Sequence, residues 1–165
     1  MVHPQGGMDT VECITHQEKS DVICIMASIN NMMQFKIYDS FNQFKIDCKA
    51  TWLSQPWRNS TNAARPEEVK DKMLKELIGP RGVSASLAIP LLRKLNMNAI
   101  SVKKEDCHDI KFGIIICQVE GFFHAFAIHN GIAIDSINCN IYGWYGSING
   151  YKGKQEIQFG IRIKM

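Results

Sequence analysis

Cys24, His124 and Asp135 are the residues of this 165-residue sequence whose types and spacing suit nucleophilic chemistry. Cys24 stands at the start of an expected helix. After Asp21, residues Ile25, Met26, Ile29, Met32 and Met33 recur at the spacing of one apolar helix face. Ser20 or Asp21 is placed to cap that helix. Unpaired N–H groups and the dipole at a helix start favour an anion, and reactive thiolates sit in such places. Packing offers a plainer account, because a cysteine beside an apolar face is also a small buried hydrophobe.

A second element tips the balance. Asn130-Gly131, between HAFAIH and IAIDS, is a strong signal for a two-residue hairpin turn. In that register His129 faces Ile132, Phe126 faces Asp135 and His124 faces Ile137. Side chains alternate along a strand, so His124, Phe126 and Asp135 share one face. His124 and Asp135 become diagonal neighbours about 7 Å apart, within reach of an imidazole–carboxylate hydrogen bond. Such a carboxylate fixes the tautomer and orientation of a general base. The arrangement depends on register, since a slip of one residue moves the two side chains to opposite faces. Packing alone would leave an Asp ending a strand and a His on a half-buried sheet.

Other residues carry weaker chemistry. Cys13 and His16 are neighbours in sequence, which does not make a dyad. His108, in the polar stretch KKEDCHD, reads as surface, and Met32-Met33 reads as core. A metal set of Cys117, His124, His129 and Cys139 fails on geometry, because His124 and His129 point to opposite faces of one strand. No metal and no cofactor is expected. Trp144 and Tyr145, in a Gly- and aromatic-rich stretch, are candidates to line a substrate groove or to cap the core.

Positioning a helix-borne thiol against a hairpin takes an α+β domain. Helices are expected first, over 21–33, 67–78 and 83–97, with Pro66 opening the second and Pro90 starting or kinking the third. Strands follow over 99–102, 112–119, 122–129, 131–137 and 156–164, forming a mostly antiparallel sheet. Residues 35–65 read as mixed, with Trp52, Pro56 and Trp57 in a polar loop-rich stretch, and 142–153 read as a loop. Residues 1–10 read as a loose tail and 11–165 as a single domain.

Composition excludes several classes. Apolar residues make up 45% and charged residues 21%, as in a globular domain. A net charge of +3, spread over dispersed lysines, argues against nucleic acid as a partner. No apolar run is long enough to span a membrane. The first ten residues hold no signal core, so a cytoplasmic location is expected. The six cysteines, at 13, 24, 48, 107, 117 and 139, form no C-x-x-C pair and are expected to be free thiols in a reducing compartment.

A Cys at a helix start, then a His on a later strand and an Asp on the next, resembles the order of papain-like cysteine hydrolases. Asp21-Val22-Ile23-Cys24-Ile25 is also similar to the D-x-x-C-[LIF] motif of ovarian-tumour (OTU) deubiquitinating proteases, and 67–102 is similar in layout to their viral members. The resemblance covers 21–136. It implies a papain-like or OTU-like fold, Cys24 as nucleophile, His124 as base and an oxyanion hole from main-chain amides of the Asp21–Cys24 loop. The papain-like form implies Gln17 as an upstream oxyanion donor. It further implies a monomeric host-cytoplasmic enzyme acting on a protein, ubiquitin or a viral polyprotein among the choices, without a cofactor. Three departures stand out. Val22-Ile23 replaces the usual Gly-Asn, Phe126 stands where a polar residue is common, and about 40 residues follow His124. An acyltransferase or transglutaminase with the same triad, and a non-catalytic interaction module, are the alternatives.

Overall fold

Helix α1, Cys24–Met33, is buried at every position from Ile25 to Met32. The expected single apolar face is therefore corrected: this helix is enclosed all round. Two buried asparagines make that tolerable. Asn30 Oδ1 accepts from the N–H groups of Ile37 and Tyr38 at 2.9 and 3.1 Å, and its Nδ2 donates to Tyr38 O and Thr15 Oγ1 at 3.0 and 2.9 Å. Asn31 Oδ1 accepts from Ile14 and Thr15 N–H, and its Nδ2 donates to Thr15 O. Each amide thus replaces the water that its burial removes. The structure, a computed structural model, describes residues 11–17, 23–54, 75, 78–79, 82–119, 122–146 and 155–164.

Helix α2, Phe41–Leu53, was not expected within the mixed, loop-rich stretch 35–65. Ser40 caps it by accepting from Gln43 N–H at 3.2 Å. Phe44, Cys48, Thr51 and Trp52 recur at helical spacing and are its buried residues. The short strands β1 (Ile78–Gly79) and β2 (Gly82–Val83) pair antiparallel. The expected helix over 67–78 falls outside the described residues, apart from helical Lys75 and the Ile78 strand position. A 3-10 turn, Ala85–Leu87, leads into α3, Ala88–Lys94. Pro90 lies in the first turn of α3, where a missing N–H costs no intrahelical bond, so it starts this helix and does not kink it.

Six strands follow: β3 (Asn98–Lys103), β4 (Phe112–Val119), β5 (Phe122–His129), β6 (Ile132–Asp135), β7 (Asn140–Gly143) and β8 (Gln155–Lys164). The sheet order is β3-β8-β4-β5-β6-β7, antiparallel throughout. The fold is α+β, as expected. Strand β7 takes in the start of the stretch read as a loop over 142–153. Asn130 and Gly131 both have positive φ, 50° and 75°, and His129 pairs with Ile132 in the expected register.

Both faces of the sheet are covered, which explains the Ile-rich runs. Ile114, Ile116, Ala125, Ala127, Ile134 and Ile161 join the core formed with α1, α2 and α3. Their neighbours Ile115, Cys117, Phe126, Ile128 and Ala133 pack on the other side with Trp144 and with Cys107 and Ile110. The alternation is that of a period-two strand.

Candidate functional site

Strands β5 and β6 carry the candidate base and its orienter. His124, 4% exposed, directs Nε2 at both carboxylate oxygens of Asp135, at 3.0 and 3.1 Å. A carboxylate only accepts, so the imidazole N–H donates. Asp135 is 1% exposed, and its Oδ1 also accepts from Ile137 N–H at 3.0 Å, which locks the carboxylate across the strand end. The second side-chain partner of His124 is the Cys24 thiol. The three expected residues therefore come together.

The electrostatics of His124 are opposed. Burial, the largest influence, pushes its pKa down. Hydrogen bonds to Asp135 and Cys24 and the charges of both outweigh it, raising the pKa to about 9. The ring is thus held as imidazolium at neutral pH, between a carboxylate and a thiol. The other free thiols are in different circumstances. Cys48, Cys107 and Cys117 are buried, and burial pushes them up to about 12, 11 and 12. Cys24 is half-buried and is the free thiol that solvent reaches.

Cys24 opens α1. Ile23 is its N-cap and provides no side-chain cap. The first intrahelical bond is Ala27 N–H to Ile23 O at 2.8 Å. The amides of the first turn therefore point forward without intrahelical partners, a ready cradle for an anion. The expected caps Ser20 and Asp21, and with Asp21 half of the implied oxyanion loop, lie outside the described residues.

Gln17 is 3% exposed and so is a buried polar residue. It bridges in parallel to Ile137 and is bonded to Ser136 by main chain and side chain. Gln17 thus reaches the residue next to Asp135. Sequence reading missed Ser136, and it missed the disulfide between Cys13 and Cys139, whose Cα atoms are 5.5 Å apart. The expectation of six free thiols is corrected to four. An even cysteine count was the available signal, and the sequence separation of 126 hid the pairing.

Trp144 is corrected from groove to core. It is 4% exposed, its Nε1 donates to Cys107 O at 2.8 Å, and its ring meets Phe126 edge-on at 5.5 Å. Tyr145 is 86% exposed. Both stand at the far end of the hairpin. Gly143 pairs with Ile132, whereas Asp135 pairs with Asn140, and three residue steps along a strand span roughly 10 Å. His129 Nδ1–H donates to Met32 O at 2.6 Å, so it too is engaged away from His124. Among the described residues no group of three His, Cys, Asp or Glu side chains could hold a metal ion. No helix among them is long and apolar enough to cross a membrane.

No protein-family model matches the chain, and no curated protein matches it.

Proposed function

We propose that this protein is a papain-like cysteine hydrolase that cleaves peptide or isopeptide bonds through Cys24, His124 and Asp135. The observation that carries this reading is the buried relay: one imidazole hydrogen-bonded to a thiol at a helix start and to a carboxylate. Gln17 beside Ser136, and the carboxylate on the next strand, favour the papain-like form over the OTU-like one.

In the reacting form His124 holds the proton and the Cys24 thiolate attacks the carbonyl carbon. The developing oxyanion accepts hydrogen bonds from α1 first-turn amides and from the Gln17 side-chain N–H. His124 then gives its proton to the leaving amine, and the thioester remains on Cys24. A water, deprotonated by His124, attacks the thioester, releases the acid and restores the thiolate–imidazolium pair. Asp135 holds the ring in the tautomer that these transfers need.

Iodoacetamide labelling at pH 6 tests the thiol, and a fluorogenic substrate carrying the ubiquitin C-terminus, alongside casein, tests the reaction. Cys24 labels faster than Cys48, Cys107 and Cys117, and Cys24→Ala abolishes turnover. Uniformly slow labelling of all four thiols overturns the reading.

A further inference from the structure

A cavity of about 400 Å³ opens at the end of α1 opposite Cys24. Met33 closes the helix that Cys24 begins, and the helical rise puts the two roughly 14 Å apart. Four neighbouring strands bring one rim of the sheet to this end. Asn98 at the start of β3 pairs with Lys164 at the end of β8, and Phe112 at the start of β4 pairs with His129 at the end of β5. The turn after α3 contributes Asn96 and Met97.

The walls are apolar. Met32, Met33, Met97, Phe112 and Ile163 supply them, and unbranched methionines reshape readily around an irregular guest. Met32 O, in the last turn of α1, has no intrahelical partner and would otherwise call for water. His129 Nδ1–H takes it at 2.6 Å, and the His129 ring meets Phe112 edge-on at 5.1 Å. The volume suits a small molecule. Charge at the lining is one-sided. No Asp or Glu lines the cavity, and Lys164, which does, forms no ion pair among the described residues. Lys164 is exposed, as is Asn98, its cross-strand partner. A guest with an apolar body and one anionic end complements both features.

We infer that this cavity binds an alkyl carboxylate, with its chain among the methionines and its head on the Lys164 ammonium. The inference stands apart from the hydrolase reading, because no lining residue belongs to the Cys24 site. Burial of the chain supplies most of the affinity. Each methylene moved out of water strengthens binding about three- to fourfold. The exposed ion pair adds less, about threefold, and fixes which end of the guest faces solvent.

The test titrates butanoate, hexanoate, octanoate and octanol, all below their micellar or solubility limits, into wild type and Lys164→Gln. Methyl NMR of the methionines locates the guest, and calorimetry gives its affinity. The Met33 and Met97 signals shift, while Met26, at the Cys24 end of α1, stays in place. Affinity climbs about three- to fourfold per methylene along the carboxylates. Lys164→Gln, a change at an exposed position, weakens octanoate about threefold and leaves octanol unchanged. Octanoate binding equally well to Lys164→Gln overturns the inference, as does affinity that ignores chain length. Met33 and Met97 signals that move with protein concentration alone give the cavity to a second copy of the chain, and that too overturns it. Signals that stay fixed throughout the titration show that the cavity takes no such guest.

Discussion

His124 joins a buried cation to two acidic partners, and its titration is where the site is most exposed to measurement. Its folded pKa, about 9, lies above the ordinary histidine value of about 6.5. The folded state therefore binds the proton more tightly than the unfolded chain. The resulting stabilisation is complete below about pH 6.5 and disappears as pH rises through about 9. Urea midpoints measured between pH 6 and 10 fall across that window. In Cys24→Ala, which removes one of the raising partners, the His124 ring titrates at lower pH by NMR. The high-pH limb of turnover follows the same group, since the leaving amine needs its proton. Asp135→Asn keeps the shape but loses the charge and one accepting oxygen. It lowers turnover by roughly 10²–10⁴-fold and lowers the His124 pKa, read by the same pH titration.

At the scale of elements, α1 is an organiser of chain as well as a carrier of sulfur. Asn30 alone satisfies two backbone amides, a carbonyl and a hydroxyl, all beside a residue of no exposure. Asn30→Ala strands those groups and costs about 2–4 kcal/mol in urea denaturation. Ser40→Ala, which deletes only the α2 cap, costs about 1 kcal/mol by the same measure. The hairpin was legible because Asn130-Gly131 forces both positive φ values, and that register alone brought His124 and Asp135 together. Helix α2 was not legible for the opposite reason. Its buried stripe mixes Phe44 and Trp52 with Cys48 and Thr51, so hydrophobicity carried little periodicity. The cap signature of Ser40 followed by Gln43 was the better clue. Trp144 misled because an aromatic in a Gly-rich stretch looks like a groove wall until a strand carries it inward. Ser136 and its tie to Gln17 escaped because hydrogen bonds across a separation of 119 leave no local pattern.

The whole molecule hangs on β8, which the order β3-β8-β4 inserts between strands that precede it. Ile161 is fully buried there, opposite Ser101 on one side and Ile114 on the other. Ile161→Ala leaves a void at that junction and costs about 2–5 kcal/mol, seen as a lower urea midpoint with an unchanged slope. Adding β8 late also sets a timetable. While residues 155–164 remain inside the ribosome, β3 and the outer side of β4 present open hydrogen-bonding rims to whatever strand comes near. A nascent chain in that state is sticky, and its relay rests on an unfinished sheet. Closure of the sheet beside the reactive centre therefore waits on β8.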